Sequence, residues 1–232
     1  MIRIRKHDER GHFDHGWLNT WHTFSFGDYH DPAHVGFSTL RVINDDRVAP
    51  GAGFPTHGHS NMEIITYVMQ GALAHKDSMG TGSVIQAGDV QYMSAGSGVT
   101  HSEFNASAQE MVHLLQIWIF PKEKSLPPLY RQKHFSAADK RGKWCLIASP
   151  DGAAGSLEIR QDARLFAALI DSGTPLDYPV ASSRRLWLHV AQGSVSLAGI
   201  ELQAGDGAAV EGENAIRVES GSQGEVLLFD LA

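Results

Sequence analysis

Short apolar runs, alternating or continuous and each closed by Gly, Pro, Asn or Asp, recur from one end of the chain to the other. They lie at residues 40–43, 63–69, 83–86, 90–93, 112–120, 143–148, 186–191, 194–197, 208–210 and 225–231. No stretch keeps apolar residues on a 3.6-residue period for long. The best helical candidates are 136–140 and a turn near 14–19. Many short strands punctuated by turn residues predict an all-β protein, a sandwich or a barrel.

The pattern also repeats. Tyr67-Val68-Met69-Gln70-Gly71 matches His189-Val190-Ala191-Gln192-Gly193, and Gln86-Ala87-Gly88-Asp89 matches Gln203-Ala204-Gly205-Asp206. Glycine admits positive φ and aspartate bonds its own backbone, so Gly-Asp is a turn signature. Two such signatures in the same order predict two related β domains. Prolines 121, 127 and 128 mark the connection. The expected domains are residues 1–121 and 136–232, with a linker at 122–135.

Composition narrows the function. The chain has 232 residues, enough to bury a sizeable core. Lys and Arg number 19 against 26 Asp and Glu, a formal charge of −7. The basic residues are scattered, which argues against direct nucleic-acid binding. Cys145 is the only cysteine, so no intrachain disulfide forms, as suits a reducing cytoplasm. Between Trp144 and Leu146 it reads as a small buried hydrophobe. No apolar run is long enough for a membrane helix and no signal-peptide pattern opens the chain; a cytoplasmic protein without membrane contact is expected. Monomer is the default expectation.

Candidate chemistry lies in two spaced pairs. His57-Gly58-His59 is followed by His101-Ser102-Glu103. Residues i and i+2 of a strand share a face, ~7 Å apart. Two adjacent strands would aim three imidazoles and one carboxylate at one point. That donor set, lacking thiolate, suits a divalent first-row metal. Random placement of 13 histidines gives roughly 0.7 His-x-His, so the pair alone decides little. The second repeat decides more. Pro179 and Ala181 stand where the first has His57 and His59, and His189 aligns with Tyr67. The fold therefore does not supply the histidines by itself, and metal chemistry belongs to the first domain. With ample core, that domain needs no structural metal, so an open, reactive site is favoured over a closed zinc site.

These residues resemble a bicupin of the pirin family. The first cupin motif runs from Gly51 through His57, His59 and Glu63 to Gly71, and the second from Gly88 through Gly96 to His101 and Asn105. The segments 16–26, 37–45, 101–105 and 115–119 also resemble pirin sequence. Ser94-Ala95 replaces the proline usual before the glycine of the second motif. The resemblance implies two tandem jelly-roll β-barrels, with His57, His59, His101 and Glu103 as metal ligands. The general cupin pattern would use Glu63; here Glu63 is expected behind the ligands or at the rim.

The resemblance further implies a dioxygenase, similar to quercetin 2,3-dioxygenases, that opens the central ring of flavonols with O2 and releases carbon monoxide. Fe(II) is the expected metal, with Cu, Ni, Zn, Co and Mn as alternatives. Glu103 is the expected general base and Glu63 the alternative. Phe54, Met62 and Trp118 are candidates for an aromatic pocket, each with a core role as the competing reading. Eukaryotic pirins imply a different outcome, a metal-dependent or redox-sensing regulator that binds a protein partner. The block with Trp17, Trp21, His22, Phe24 and Phe26 reads as a packing segment or a strap over the barrel mouth. His22, His30, His75 and His113 read as hydrogen-bonded structural residues, with His75 and His113 within possible reach of the ligands.

Overall fold

The computed structural model describes residues 1–220 and 222–232, and its regular elements are nearly all strands. Two compact units emerge. The N-terminal unit comprises residues 11–134 and 159–161; the C-terminal unit comprises 1–10, 135–158 and 162–232. Strand β1 (Ile2–Arg5) thus opens the chain but pairs along Ile2↔Val210 to Arg5↔Gly207, inside the C-terminal unit.

The N-terminal unit holds β2 (Gly11–Asp14), β3 (Leu18–His22), β4 (Leu40–Val48), β5 (Gly53–His59), β6 (Glu63–Gln70), β7 (Ala72–Asp77), β8 (Gly82–Gln86), β9 (Asp89–Ser94), β10 (Val99–Asn105), β11 (Val112–Ile119) and β12 (Leu129–His134). One sheet runs β12-β9-β6-β11-β4-β3-β2, the other β5-β10-β7-β8. Their inner faces meet. Leu18, Val48, Val68, Val112 and Leu114 of the larger sheet pack with Leu73 and Ile85 of the smaller. A second apolar cluster joins Ile64, Met93 and Ala95 with Val99. The segment expected as a linker ends in β12, which pairs with β9 from Leu129↔Ser94 to His134↔Asp89.

The C-terminal unit holds β1, a short helix α1 (Ala137–Lys140), β13 (Cys145–Ser149), β14 (Leu157–Glu158), β15 (Ala163–Asp171), β16 (Leu176–Pro179), β17 (Arg185–Leu197), β18 (Ile200–Gln203), β19 (Gly207–Val210), β20 (Ala215–Glu219) and β21 (Gln223–Leu231). Its core gathers Leu186, Leu188, Val190, Val226 and Leu228 with Val195, Leu197 and Val218. Among the described residues no helix is long and apolar enough to cross a membrane.

Local chemistry explains both short helical candidates. Ser136 caps α1, accepting from the Asp139 amide while the Asp139 carboxylate accepts from the Ser136 amide, a capping box. Residues 14–19 instead form the β2–β3 corner, where Gly16 takes φ 80° and its amide donates to Asp14 Oδ1 (2.8 Å). The two apolar runs 186–191 and 194–197 fuse into the single strand β17, with a bulge between Val190 and Gln192.

The repeat signatures adopt matching geometry in the two units. Gly88 and Gly205 take φ 89° and 88°. Asp89 Oδ2 accepts from the Gln86 amide and Asp206 Oδ2 from the Gln203 amide, each at 3.0 Å. Asp206 is almost fully buried and also accepts from Lys6 Nζ (3.0 Å) and the His7 amide (2.7 Å), tying β1 to the unit. Burial pulls the Asp206 carboxyl upward, but these donors outweigh it and hold its pKa below the ordinary value. A depressed folded-state pKa stabilises the fold above the unfolded carboxyl's pKa, and the contribution is lost as pH falls through the folded value. Asp206→Asn is therefore expected to lower the unfolding free energy at pH 7 by about 2–3 kcal/mol. Urea denaturation should show the gap from wild type shrinking between pH 5 and pH 3; a gap independent of pH would contradict the assignment.

Candidate functional site

The site begins with the pairing of β5 and β10. His101 lies opposite His57 and Val99 opposite His59, so alternation turns all three histidines to the inner face. The register then shifts. Glu103 lies opposite Phe54, three residues from His57 where β10 has advanced two. The extra residue falls at Pro55-Thr56, where Pro55 has no amide to offer a ladder. The shift reverses the parity of β5, so Phe54 shares the inward face with His57. Gly53 completes the approach: a Cβ there would lie 2.2 Å from the Glu103 carbonyl oxygen.

The imidazoles form a tight triangle. Ring centroids are 4.8 Å apart for His57–His59, 4.5 Å for His57–His101 and 4.9 Å for His59–His101. One ring nitrogen from each lies within 4.8 Å of the others. His57 Nδ1 donates to the Pro55 carbonyl (2.8 Å), which leaves its Nε2 as a lone-pair donor to the cluster. That Nε2 faces His101 Nε2 at 3.1 Å. Burial, helped by the neighbouring imidazoles and opposed by Glu103, lowers the pKa of His59 and of His101 to about 4. Both rings are thus neutral near pH 7, as metal ligation requires. Two ligands at right angles, each about 2.1 Å from a metal, stand about 3 Å apart. The 3.1 Å approach of these two ring nitrogens, bridged by one proton in the metal-free site, also matches the spacing around a shared cation.

Glu103 is buried beside this triangle. It groups with His101 and His75 within the same 4.8 Å limit, its Oε1 lying 3.9 Å from Nδ1 of each. The carboxylate sits in a closed ring of hydrogen bonds. Gln91 Nε2 donates to Oε1 (3.2 Å) and Gln116 Nε2 to Oε2 (3.0 Å). Thr66 Oγ1 accepts from Gln91 Nε2 (3.1 Å) and donates to Gln116 Oε1 (2.8 Å), closing the circuit. Burial pulls the Glu103 pKa upward, yet His75, His101 and Gln91 outweigh it and hold the carboxyl below its ordinary value. His75 is directly opposite Glu103 on β7; its Nε2 meets Asp77 Oδ2 at 3.1 Å.

Strand register makes this network a row. His22, Asn44, Gln116, Thr66, Gln91 and Gln132 are successive cross-strand neighbours on β3, β4, β11, β6, β9 and β12. The row crosses the large sheet between its two apolar clusters. In sequence the sign is a polar residue at an inward position of an apolar strand, as in Leu114-Leu115-Gln116-Ile117 and Val90-Gln91-Tyr92.

Glu63 is elsewhere. Three positions before Thr66 on β6, it faces away from the row and accepts from Tyr92 Oη and from Ser94 Oγ (2.9 Å). The turn at residues 60–62, with Asn61 at φ 50°, resets the parity that would carry over from His59. Burial raises the Glu63 pKa, against the bonds from Tyr92 and Ser94.

A cavity of about 400 Å³ opens against the triangle. Phe26, Phe54 and Trp118 line it with His57, His59, Glu103 and Gln116. Trp118 meets His59 edge-on (centroids 5.0 Å), and Phe26 meets Trp118 likewise (5.2 Å). The aromatic N-terminal block thus contributes Phe26 to the wall, whereas Trp21 stacks on His12 and lies under Arg47. Met62 packs into the apolar cluster around Ile64 instead of the cavity. His113 bonds Asp45 (2.7 Å) and His30 is exposed. Asn44 and Asp46 of β4 also line the cavity. Burial pushes the Asp46 carboxyl up to about 7, with the charges of Asp45 and Glu103 adding to the effect and Thr20 opposing it.

A model of the pirin family matches residues 3–119, and a model described as the quercetinase C-terminal cupin domain matches residues 146–231. A quercetin 2,3-dioxygenase of Escherichia coli strain K12 is 48% identical over 231 residues, covering 100% of this chain and 99% of its own. A pirin-like protein of Caulobacter vibrioides is 42% identical over 233 residues, covering 100% of both. The crystal structure of the bacterial pirin YhhW from Escherichia coli in complex with nickel(II) superposes with a TM-score of 0.95 at 46% identity, covering 100% of this chain and 99% of that one. The expected bicupin fold therefore holds for both halves.

Gln116→Leu removes the donor to Glu103 Oε2 and the acceptor for Thr66. It is expected to cost about 1–3 kcal/mol of stability, read by urea denaturation. A change below a few tenths would mean that the ring of bonds does not hold the carboxylate.

Proposed function

The chain belongs to the pirin family, and we propose that its N-terminal unit is a metal-dependent dioxygenase that cleaves the central ring of flavonols such as quercetin with O2 and releases carbon monoxide. One observation carries the reading: the imidazoles of His57, His59 and His101 form a triangle against an aromatic-walled cavity, with the buried Glu103 carboxylate beside His101. His57, His59, His101 and Glu103 hold the cation, with Fe(II) as the expected occupant and nickel, the ion in the related YhhW complex, as the main alternative. When bound, the metal supplies Lewis acidity toward the flavonol 3-hydroxyl.

The chain's own groups do the rest. Pro55 fixes the tautomer of His57. Phe26, Phe54 and Trp118 exclude water and hold flat rings by apolar and edge contacts. Glu103 takes the 3-hydroxyl proton on its carboxylate, held in place by Gln91 and Gln116. Glu63, the alternative base, accepts from Tyr92 and Ser94 on the opposite face of β6, which favours Glu103 for the task.

Protein purified without chelator or added metal is expected to carry one first-row metal per chain. His101→Ala should lower the bound metal about tenfold or more, and Glu63→Gln should retain it; the reverse pattern would overturn the ligand set. An aerobic assay of the iron-loaded protein should show loss of quercetin absorbance with release of carbon monoxide. Turnover no faster than free metal would remove the dioxygenase reading and favour a regulator acting through a protein partner.

A further inference from the structure

The cavity wall opposite the metal ligands is not uniformly apolar. Asn44 and Asp46 line it, each only 4% exposed, and Trp118 lines it from β11. Asn44 Oδ1, Asp46 Oδ1 and Trp118 Nε1 are buried and have no hydrogen-bond partner among the described residues. Such groups are costly to desolvate unpaired, and these three are the ones that border the cavity, where a ligand can reach them. Asn44 belongs to the polar row that Glu103 contacts through Gln91 and Gln116, but Asp46 lies in the next row, between Thr20 and Leu114. It is therefore a diagonal neighbour of Gln116, roughly 7–8 Å away, about the width of two fused aromatic rings.

We propose that Asp46, with Asn44 and Trp118 Nε1, is a specificity subsite that selects planar aromatic ligands bearing a hydroxyl at the end remote from the metal. The inference rests on the reading of the cavity as a substrate site. The remote hydroxyl donates to the Asp46 carboxylate or to Asn44 Oδ1, and a ring oxygen accepts from Trp118 Nε1. A site built to bond a hydroxyl rejects the analogue that lacks it, because its own buried groups are then left unpaired. Burial also raises the Asp46 pKa to about 7, so the same group can donate to a phenolate as well as accept from a phenol.

The test compares 2,6-dihydroxynaphthalene with 2-naphthol on the nickel-loaded full chain, without turnover, by fluorescence titration. Wild type should bind the diol about tenfold more tightly, one hydrogen bond's worth. Asp46→Leu should lose that preference, with 2-naphthol affinity and metal content within twofold of wild type. Its melting temperature should not fall, since the change removes a buried carboxyl whose Oδ1 has no partner; a purely structural Asp46 would lower it and leave the diol preference intact. Wild type binding both probes equally, or neither, overturns the proposal, as does an equal loss of both in Asp46→Leu. Diol selectivity without quercetin turnover would sink the dioxygenase reading alone, and turnover without selectivity would sink the subsite alone.

Discussion

The pairing of β5 with β10 is the constraint on which the site depends. Placing His101 opposite His57 fixes the triangle, because neither strand can slip one residue without turning every histidine outward. The bulge at Pro55-Thr56 then swings Phe54 to the same side, so one irregularity provides both the tautomer-fixing carbonyl of His57 and an aromatic wall for the cavity. Gly53 permits the close contact that anchors the shifted register.

Around that pairing, the barrel interior is layered. Apolar clusters lie on either side of a polar row, and Glu103 descends onto the row from the facing sheet. A buried carboxylate is tolerable only when its lone pairs are met, and Gln91 and Gln116 meet them. The cyclic arrangement through Thr66 leaves the carboxylate little freedom, which is how a ligand or base is held ready before substrate arrives. Asp46 lies outside this circuit, with its Oδ1 unpartnered at the cavity wall.

Much of this was legible in the sequence. The i, i+2 histidine spacing, the flanking turns and the loss of the histidines in the second repeat placed the triangle in the first half. The Gly-Asp turns of the two repeats have the same geometry because glycine and aspartate each do the same local work in both. What sequence could not supply was long-range register. Parity counted from His59 to Glu63 fails across the Asn61 turn. His75 looked structural until its strand was seen beside Glu103. The row of Asn44, Gln116, Thr66 and Gln91 exists only once the sheet order β9-β6-β11-β4 is known, and residues 1–10 join the C-terminal unit through long-range contacts, the β1 ladder, Asp206 and the ion pairs of Met1 and Arg3.

The most direct test of the central claim is the K-edge X-ray absorption spectrum of the metal-loaded protein. Convergence of His57, His59, His101 and Glu103 predicts an all nitrogen and oxygen shell at about 2.0–2.2 Å, with outer-shell scattering from three imidazoles that drops to two in His101→Ala. A shell without imidazole scattering, or a spectrum unchanged by that substitution, would contradict it.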